Sequence, residues 1–147
     1  MKFRRAVPED SVAIHELIIE LAVYEKEPDA VSTTPEQLLI DLFQEKRCFA
    51  FVAENEHGKI VGFALYYFGY STWKGRTIYL EDLYVQPEYR KDGVGGKLFD
   101  RVVEEGKRQG AKRMDWQVLE WNTSAIEFYN KKGALLDDEW INGRLFF

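Results

Sequence analysis

A strand-like run that ends in a glycine-rich turn constrains this chain more than any other feature. Ile78-Tyr79-Leu80-Glu81-Asp82-Leu83-Tyr84-Val85 is largely apolar and aromatic, as a half-buried strand should be. It passes into Gln86-Pro87-Glu88-Tyr89-Arg90-Lys91-Asp92-Gly93-Val94-Gly95-Gly96, and then into an amphipathic run from Lys97 to Gly110. A glycine turn between a strand and a helix start exposes several backbone N–H groups at the positive end of the helix dipole. Without Cβ atoms in the way, an anion can approach that backbone closely. Arg90 and Lys91 add positive charge at the mouth of the turn. The other reading of the same residues is a tight turn that only starts a helix.

The glycine spacing is R-x-x-G-x-G. It lacks the Gly-Lys-Ser/Thr ending of a nucleotide P-loop and is not the G-x-G-x-x-G of a dinucleotide fold. The chain has 147 residues, 46% hydrophobic and 15% aromatic, which suits one domain with a substantial core, spanning 1–147. Its net charge of −5 argues against nucleic acid as a partner. No run is long enough for a membrane span. The start, Met1-Lys2-Phe3-Arg4-Arg5, has no apolar stretch like that of a signal peptide. A single cysteine, Cys48, excludes a disulfide framework and reads as a buried strand residue. His15 and His57 have no metal-ligand company, so no metal site is expected. These features together predict a soluble cytoplasmic protein.

Along the chain, Phe3 to Ala6 reads as a short strand. Pro8 opens a helix with Ile14, Leu17, Ile18 and Leu21 on one face, closed by Pro28. Thr34-Pro35-Glu36 starts a second helix, with Leu38, Leu39, Leu42 and Phe43 as its buried stripe. Strands are expected over Cys48 to Ala53, Ile60 to Tyr70 and Thr77 to Val85, with turns at 56–59 and 71–76. A helix follows over Gly95 to Gly110, then a strand over Arg113 to Leu119 and a helix over Thr123 to Lys132. Two last strands are expected near Leu135 to Trp140 and Arg144 to Phe147. The order β-α-α-β-β-β-α-β-α-β-β gives an α/β fold with a mixed, mostly antiparallel sheet flanked by helices.

Five stretches carry a resemblance to a known family. They are Leu21-Ala22-Val23-Tyr24-Glu25, Val61 to Phe68, Tyr79-Leu80-Glu81-Asp82-Leu83, Arg90 to Gly96, and Glu120-Trp121-Asn122 with Ile126 to Ala134. In this order they resemble the GNAT N-acetyltransferases, and within them the diamine (spermidine/spermine) and thialysine N-acetyltransferase group. The resemblance implies a single-domain acyl-CoA N-acyltransferase fold that moves acetyl from acetyl-CoA to a primary amine. The expected acceptor is a small di- or polyamine or a lysine-like amino acid. Other acceptors of the same chemistry are a protein N-terminus, a protein lysine or an aminoglycoside. A non-catalytic acyl-CoA sensor and a structural domain are the rivals from other classes.

The chemistry sets requirements for the residues. An alkylamine has a pKa of about 10 and must lose a proton before it attacks a thioester. A carboxylate, directly or through water, can take that proton. The developing oxyanion needs a fixed donor, and the departing thiolate benefits from a proton. The resemblance implies Glu81 as the water-relayed base, Asp82 as an amine contact and Tyr129 as the acid for the coenzyme A sulfur. Each also has a plain reading: a strand carboxylate paired with Arg or Lys, or a core tyrosine. As neighbours on one strand, Glu81 and Asp82 should face opposite ways. Asn122 reads as a helix cap and, by resemblance, as a pantetheine contact. The strand is expected to bulge and splay, so that Leu83 N–H faces the acetyl carbonyl and Val85 pairs with pantetheine. The coenzyme is assigned to Leu83, Tyr84, Val85, Arg90, Lys91, Asp92, Gly93, Val94, Gly95, Gly96, Asn122 and Tyr129. Tyr24, Glu25 and Trp73 join Glu81 and Asp82 as amine-pocket residues, since aromatic faces and carboxylates suit an ammonium.

The polyamine enzymes carry an acidic residue and a tryptophan shortly before their last strand. Here Ile141 and Gly143 take those places, with Glu139 and Trp140 out of register, and the chain stops at Phe147 where relatives continue. The relatives are homodimers, and a homodimer is expected here by resemblance.

Overall fold

The computed structural model describes all 147 residues, in two compact units, Met1–Trp116 and Gln117–Phe147. The first unit contains β1 (Lys2–Arg5), α1 (Ser11–Tyr24), α2 (Pro35–Leu39), β2 (Phe49–Glu54), β3 (Ile60–Ser71), β4 (Gly75–Val85), α3 (Val94–Arg108) and β5 (Met114–Asp115). The strands form one sheet in the order β1-β2-β3-β4-β5. All neighbours are antiparallel except β4 and β5, which are parallel.

The elements follow from local chemistry. Thr34 caps α2 by accepting a hydrogen bond from the Gln37 N–H at 3.1 Å, and Pro35 sits where its missing N–H costs nothing. Beyond Leu39 the helix widens to i→i+5 bonding over Ile40–Gln44. Asn55 holds the β2–β3 turn, its side-chain oxygen accepting from the N–H groups of His57 and Lys59 at 2.9 Å each. Pro8 opens a 3-10 turn, not the α-helix itself, and α1 ends at Tyr24, before Pro28, with Lys26 in left-handed backbone.

Two layers of helix close the sheet. On one face Ile14 and Leu17 of α1, with Leu38 and Leu42, pack on Ala50, Val52, Phe63 and Leu65. On the other, α3 packs on β2, β3 and β4 through Val94, Leu98, Phe99 and Val102. The close approach of α3 depends on Gly106, where a Cβ would stand 2.8 Å from Ile78 Cγ2. His15 is buried, and its Nε2 donates to the Thr33 carbonyl at 2.8 Å, which accounts for it as a structural residue.

The second unit contains α4 (Thr123–Lys131), capped by Asn122 Oδ1, which accepts from the Ala125 N–H at 3.3 Å. The strands expected over Leu135–Trp140 and Arg144–Phe147 are absent, and β5 covers only two of the residues expected from Arg113 to Leu119. Leu135, Trp140, Ile141, Leu145, Phe146 and Phe147 are exposed. Short clusters of apolar residues become a strand only where a neighbour accepts their backbone hydrogen bonds, and no strand pairs with them here.

Candidate active site

The site is built where β4 leaves β5. The parallel pairing stops at Ile78 with Met114 and Tyr79 with Asp115. From Leu80 to Val85 the far edge of β4 has no strand beside it. The register with β3 decides which groups face that edge. Gln86 N–H donates to the Val61 carbonyl at 2.9 Å, so this is a hydrogen-bonded pair. Antiparallel alternation then turns Tyr84 and Asp82 backbone groups toward β3, and those of Val85 and Leu83 outward. An extended chain laid along this edge would find a ladder ready for it. The Val85 carbonyl is already taken in part, by Arg90 Nε at 2.7 Å.

A β-bulge sits within the same strand. Leu65 faces Asp82 and Tyr66 faces Leu80, leaving Glu81 as the extra residue. Strict alternation of Glu81 and Asp82 to opposite faces therefore does not hold, because a bulge interrupts the pleat. Both carboxylates lie within electrostatic reach of Glu25, just past the end of α1. Burial raises the Asp82 carboxyl, and the charges of Glu81 and Glu25 raise it further, up to about 7. Burial and then Glu81 also raise Glu25, and burial raises Glu81 itself. Neither Glu81 nor Asp82 has an ion-pair or hydrogen-bond partner, so the structural reading of a strand carboxylate neutralised by Arg or Lys fails for both.

Sequence reasoning missed three neighbours of this cluster. Tyr67 and Tyr79 stack across β3 and β4 with ring centroids 5.2 Å apart. Burial and then Glu81 push the Tyr79 hydroxyl up to about 12, and raise Tyr67 as well. The Cys48 thiol is pushed up to about 11 by burial, then by Asp41 and Glu81. Their signal was the cross-strand register, which pairs Tyr67 with Tyr79. Trp73 is not brought to the cluster. It lies at the β3–β4 hairpin tip, 88% exposed, about 20 Å along the strand from Glu81.

The glycine turn has the form of an anion cradle. Pro87–Asp92 is a 3-10 turn, Gly93 has φ +71°, and α3 begins at Val94. The left-handed backbone requires Gly93, where any Cβ would be strained although nothing lies within 4 Å of it. The first regular helical bond is Lys97 N–H to the Gly93 carbonyl at 3.1 Å, so the N–H groups of Gly95 and Gly96 precede the ladder. At Gly95 a Cβ would meet only Val85 Cγ2 at 3.7 Å, an ordinary contact. The protein's own packing therefore does not demand glycine there, whereas an anion seated on the N–H groups would. The first turn of α3 carries no acid, and Lys91, Asp92 and Lys97 are exposed. These residues fit a pyrophosphate.

In the second unit Tyr129 is buried, with its ring edge-on to Phe128 at 5.2 Å. Asn122 does cap the helix that carries it. No group of three or more His, Cys, Asp or Glu side chains converges as a metal site, and no helix is long and apolar enough to cross a membrane.

Known proteins match this arrangement. The family model described as "Acetyltransferase (GNAT) family" matches residues 13–134. The chain is 44% identical to a thialysine N-epsilon-acetyltransferase of Bos taurus, over 89% of this chain and 82% of that one. It is 38% identical to the Mus musculus thialysine N-epsilon-acetyltransferase, over 97% and 91%. Among solved structures, an aminoglycoside acetyltransferase from an uncultured soil metagenomic sample superimposes with a TM-score of 0.81. It covers 99% of this chain and 95% of its own, at 20% identity, a likeness of fold. Acetyltransferases of the matched family use acetyl-CoA as co-substrate. With the splayed strand, the glycine cradle and these relatives in agreement, the chain is an acyltransferase and belongs to the GNAT acetyltransferase family.

Proposed function

We propose that this protein transfers acetyl from acetyl-CoA to the primary amine of a small molecule that carries a further positive charge, a lysine-like amino acid or a di- or polyamine. The observation that carries this reading is the unneutralised group of Glu25, Glu81 and Asp82 beside the open edge of β4. Such a group stabilises an acceptor with two ammonium centres more than one with a single centre. The thialysine acetyltransferase relatives support the lysine-like acceptor, since the chain spans most of their length.

In this reading the ammonium gives a proton through water to Glu81, and the freed amine attacks the acetyl carbonyl. The outward Leu83 N–H stabilises the oxyanion. The C–N bond forms, the C–S bond breaks, and in this reading Tyr129 passes its hydroxyl proton to the departing sulfur. The second proton of the attacking nitrogen leaves to water as the amide forms, and a solvent proton restores the tyrosine. Gly93, Val94, Gly95 and Gly96 hold the pyrophosphate with their N–H groups, Lys91 lends charge, and the pantetheine arm lies along Leu83 to Val85; the family resemblance supports Asn122 as a further pantetheine contact. We place the enzyme in the cytoplasm as a homodimer built from one acetyltransferase domain over 1–147. The resemblance to the diamine group supports the dimer, and a lone thiol is compatible with a reducing compartment.

The test is purified protein with acetyl-CoA and a panel of spermidine, putrescine, lysine, thialysine, an aminoglycoside and a short peptide. Free CoA and acetylated products are read together by mass spectrometry. Product on the diamines or on thialysine or lysine is the expected result. Product only on the aminoglycoside or the peptide would overturn the acceptor class. Bound acetyl-CoA without product on any amine would overturn the enzymatic reading.

A further inference from the structure

Arg90 belongs to the glycine turn by sequence, yet its side chain reaches back to the sheet and α1. Its Nε donates to the Val85 carbonyl at 2.7 Å. The guanidinium carbon lies 5.2 Å from the centre of the Tyr24 ring and 5.4 Å from that of Tyr84. The planar group is thus held between the last residue of α1 and the end of β4. One turn earlier on α1, Gln86 Nε2 donates to both carboxylate oxygens of Glu20, at 3.1 and 3.3 Å. The final turns of α1 are therefore tied to the end of β4 at two levels. Glu25 follows Tyr24 directly, and its N–H still bonds to the Leu21 carbonyl at 2.8 Å, so the last turn of α1 sets its position.

We infer that Arg90 is a positioning residue that braces the last turn of α1, and with it Glu25, against the open edge of β4. This rests on the acyl-transfer reading above. The geometry suits a guanidinium: its cation lies over two aromatic rings while its Nε–H donates to a carbonyl. A lysine ammonium can lie over a ring or donate to a carbonyl, but its single point charge cannot reproduce this whole set of contacts. The brace also explains why an arginine of the glycine turn donates its Nε–H to the end of the sheet. It joins the coenzyme edge to the acid that receives the amine.

The test uses the full chain with Arg90→Lys and Arg90→Met. Hydrogen exchange is followed in the protein alone, comparing amides of Leu21 to Glu27 with those of Ile14 to Leu17. Both variants should exchange about fivefold faster in the last turn of α1 only, as expected for losing a cation–π brace. In kinetics, both should raise KM for the amine several-fold while KM for acetyl-CoA stays near wild type. The same deficit should appear with S-acetylpantetheine, a donor that lacks the pyrophosphate. A deficit confined to KM for acetyl-CoA, absent with S-acetylpantetheine and rescued by Lys, would make Arg90 a phosphate ligand and overturn the brace. Unchanged exchange in the last turn of α1 would overturn it as well. A wild-type protein that acetylates no amine would sink the functional reading instead, and the exchange measurement would still decide the brace.

Discussion

Asp82→Asn should make the folded protein more stable at pH 8 and leave it nearly unchanged at pH 3, below both ionisation values of the carboxyl. Burial, with the charges of Glu81 and Glu25, brings the Asp82 carboxyl to about 7. In the unfolded chain it returns to about 4. Between those values the folded protein keeps a proton that the unfolded chain has released, so this group lowers stability as pH rises from about 4 to about 7. At about 1.36 kcal/mol per tenfold change in ionisation constant, the upper bound above pH 7 is ~4 kcal/mol. Solvent contact at this half-buried side chain and relaxation around it reduce the expected value to about 2 kcal/mol. For a chain of this size that is a rise in Tm of roughly 4–8 °C. The assay is thermal unfolding of wild type and variant from pH 3 to 8, where the difference between the two cancels the titrating groups that are not coupled to Asp82. A gain that is equal at pH 3 and pH 8, or a variant less stable at pH 8, would refute the electrostatic reasoning. The stabilised variant should also bind the amine more weakly, because the carboxylate that is costly in the empty site is the one that meets the cation.

Three further outcomes are expected. Gly106→Ala should cost ~1–3 kcal/mol in chemical denaturation, because its Cβ falls 2.8 Å from Ile78 Cγ2 and must push α3 off the sheet. Asp10→Asn should destabilise by about 3 kcal/mol at pH 7, read from the denaturation midpoint, since buried Asp10 accepts from Arg4 at 2.7 and 3.0 Å and from the Val7 N–H at 2.8 Å. Burial alone would raise that carboxyl, but those hydrogen bonds outweigh it and hold it low, so its contribution is present at neutral pH and is lost as pH falls through the lowered value. Tyr129→Phe should reduce kcat by about 10²-fold with acetyl-CoA affinity retained in calorimetry, and unchanged turnover would remove the acid assignment.

The elements legible in the sequence are those whose signal is local. The Thr34-Pro35 helix start, the 56–59 turn, the β3–β4 pair and the helix after Gly93 all stand within a few residues of their expected places. So does the cap at Asn122, which a side chain makes to its own helix. The last two strands did not form, because the apolar clusters between Leu135 and Phe147 state at most a preference and supply no partner. At Ile40–Gln44 the apolar stripe was readable but the change of helical pitch was not.

The candidate site divides in the same way. Sequence by itself determined the β–turn–α unit from Ile78 to Arg108, the glycine that left-handed backbone requires at position 93, and the acids at 25, 81 and 82. Residue types and spacing suffice for these, because each depends on backbone conformations and neighbours close along the chain. The family resemblance carried the expectation of a bulged strand with Leu83 and Val85 at its open edge and of Glu25 near Glu81 and Asp82, but only the tertiary structure decided that the bulge falls at Glu81 and so displaces it from strict alternation. It alone turned Arg90 from the turn toward Tyr24 and Val85, and left Trp73 at the hairpin tip. These facts depend on register between strands and on contacts between residues up to 66 positions apart, as in the Glu20–Gln86 pair. Local spacing carries no information about either, since register and long-range contact are fixed only when the whole sheet and its helices bury their apolar faces together.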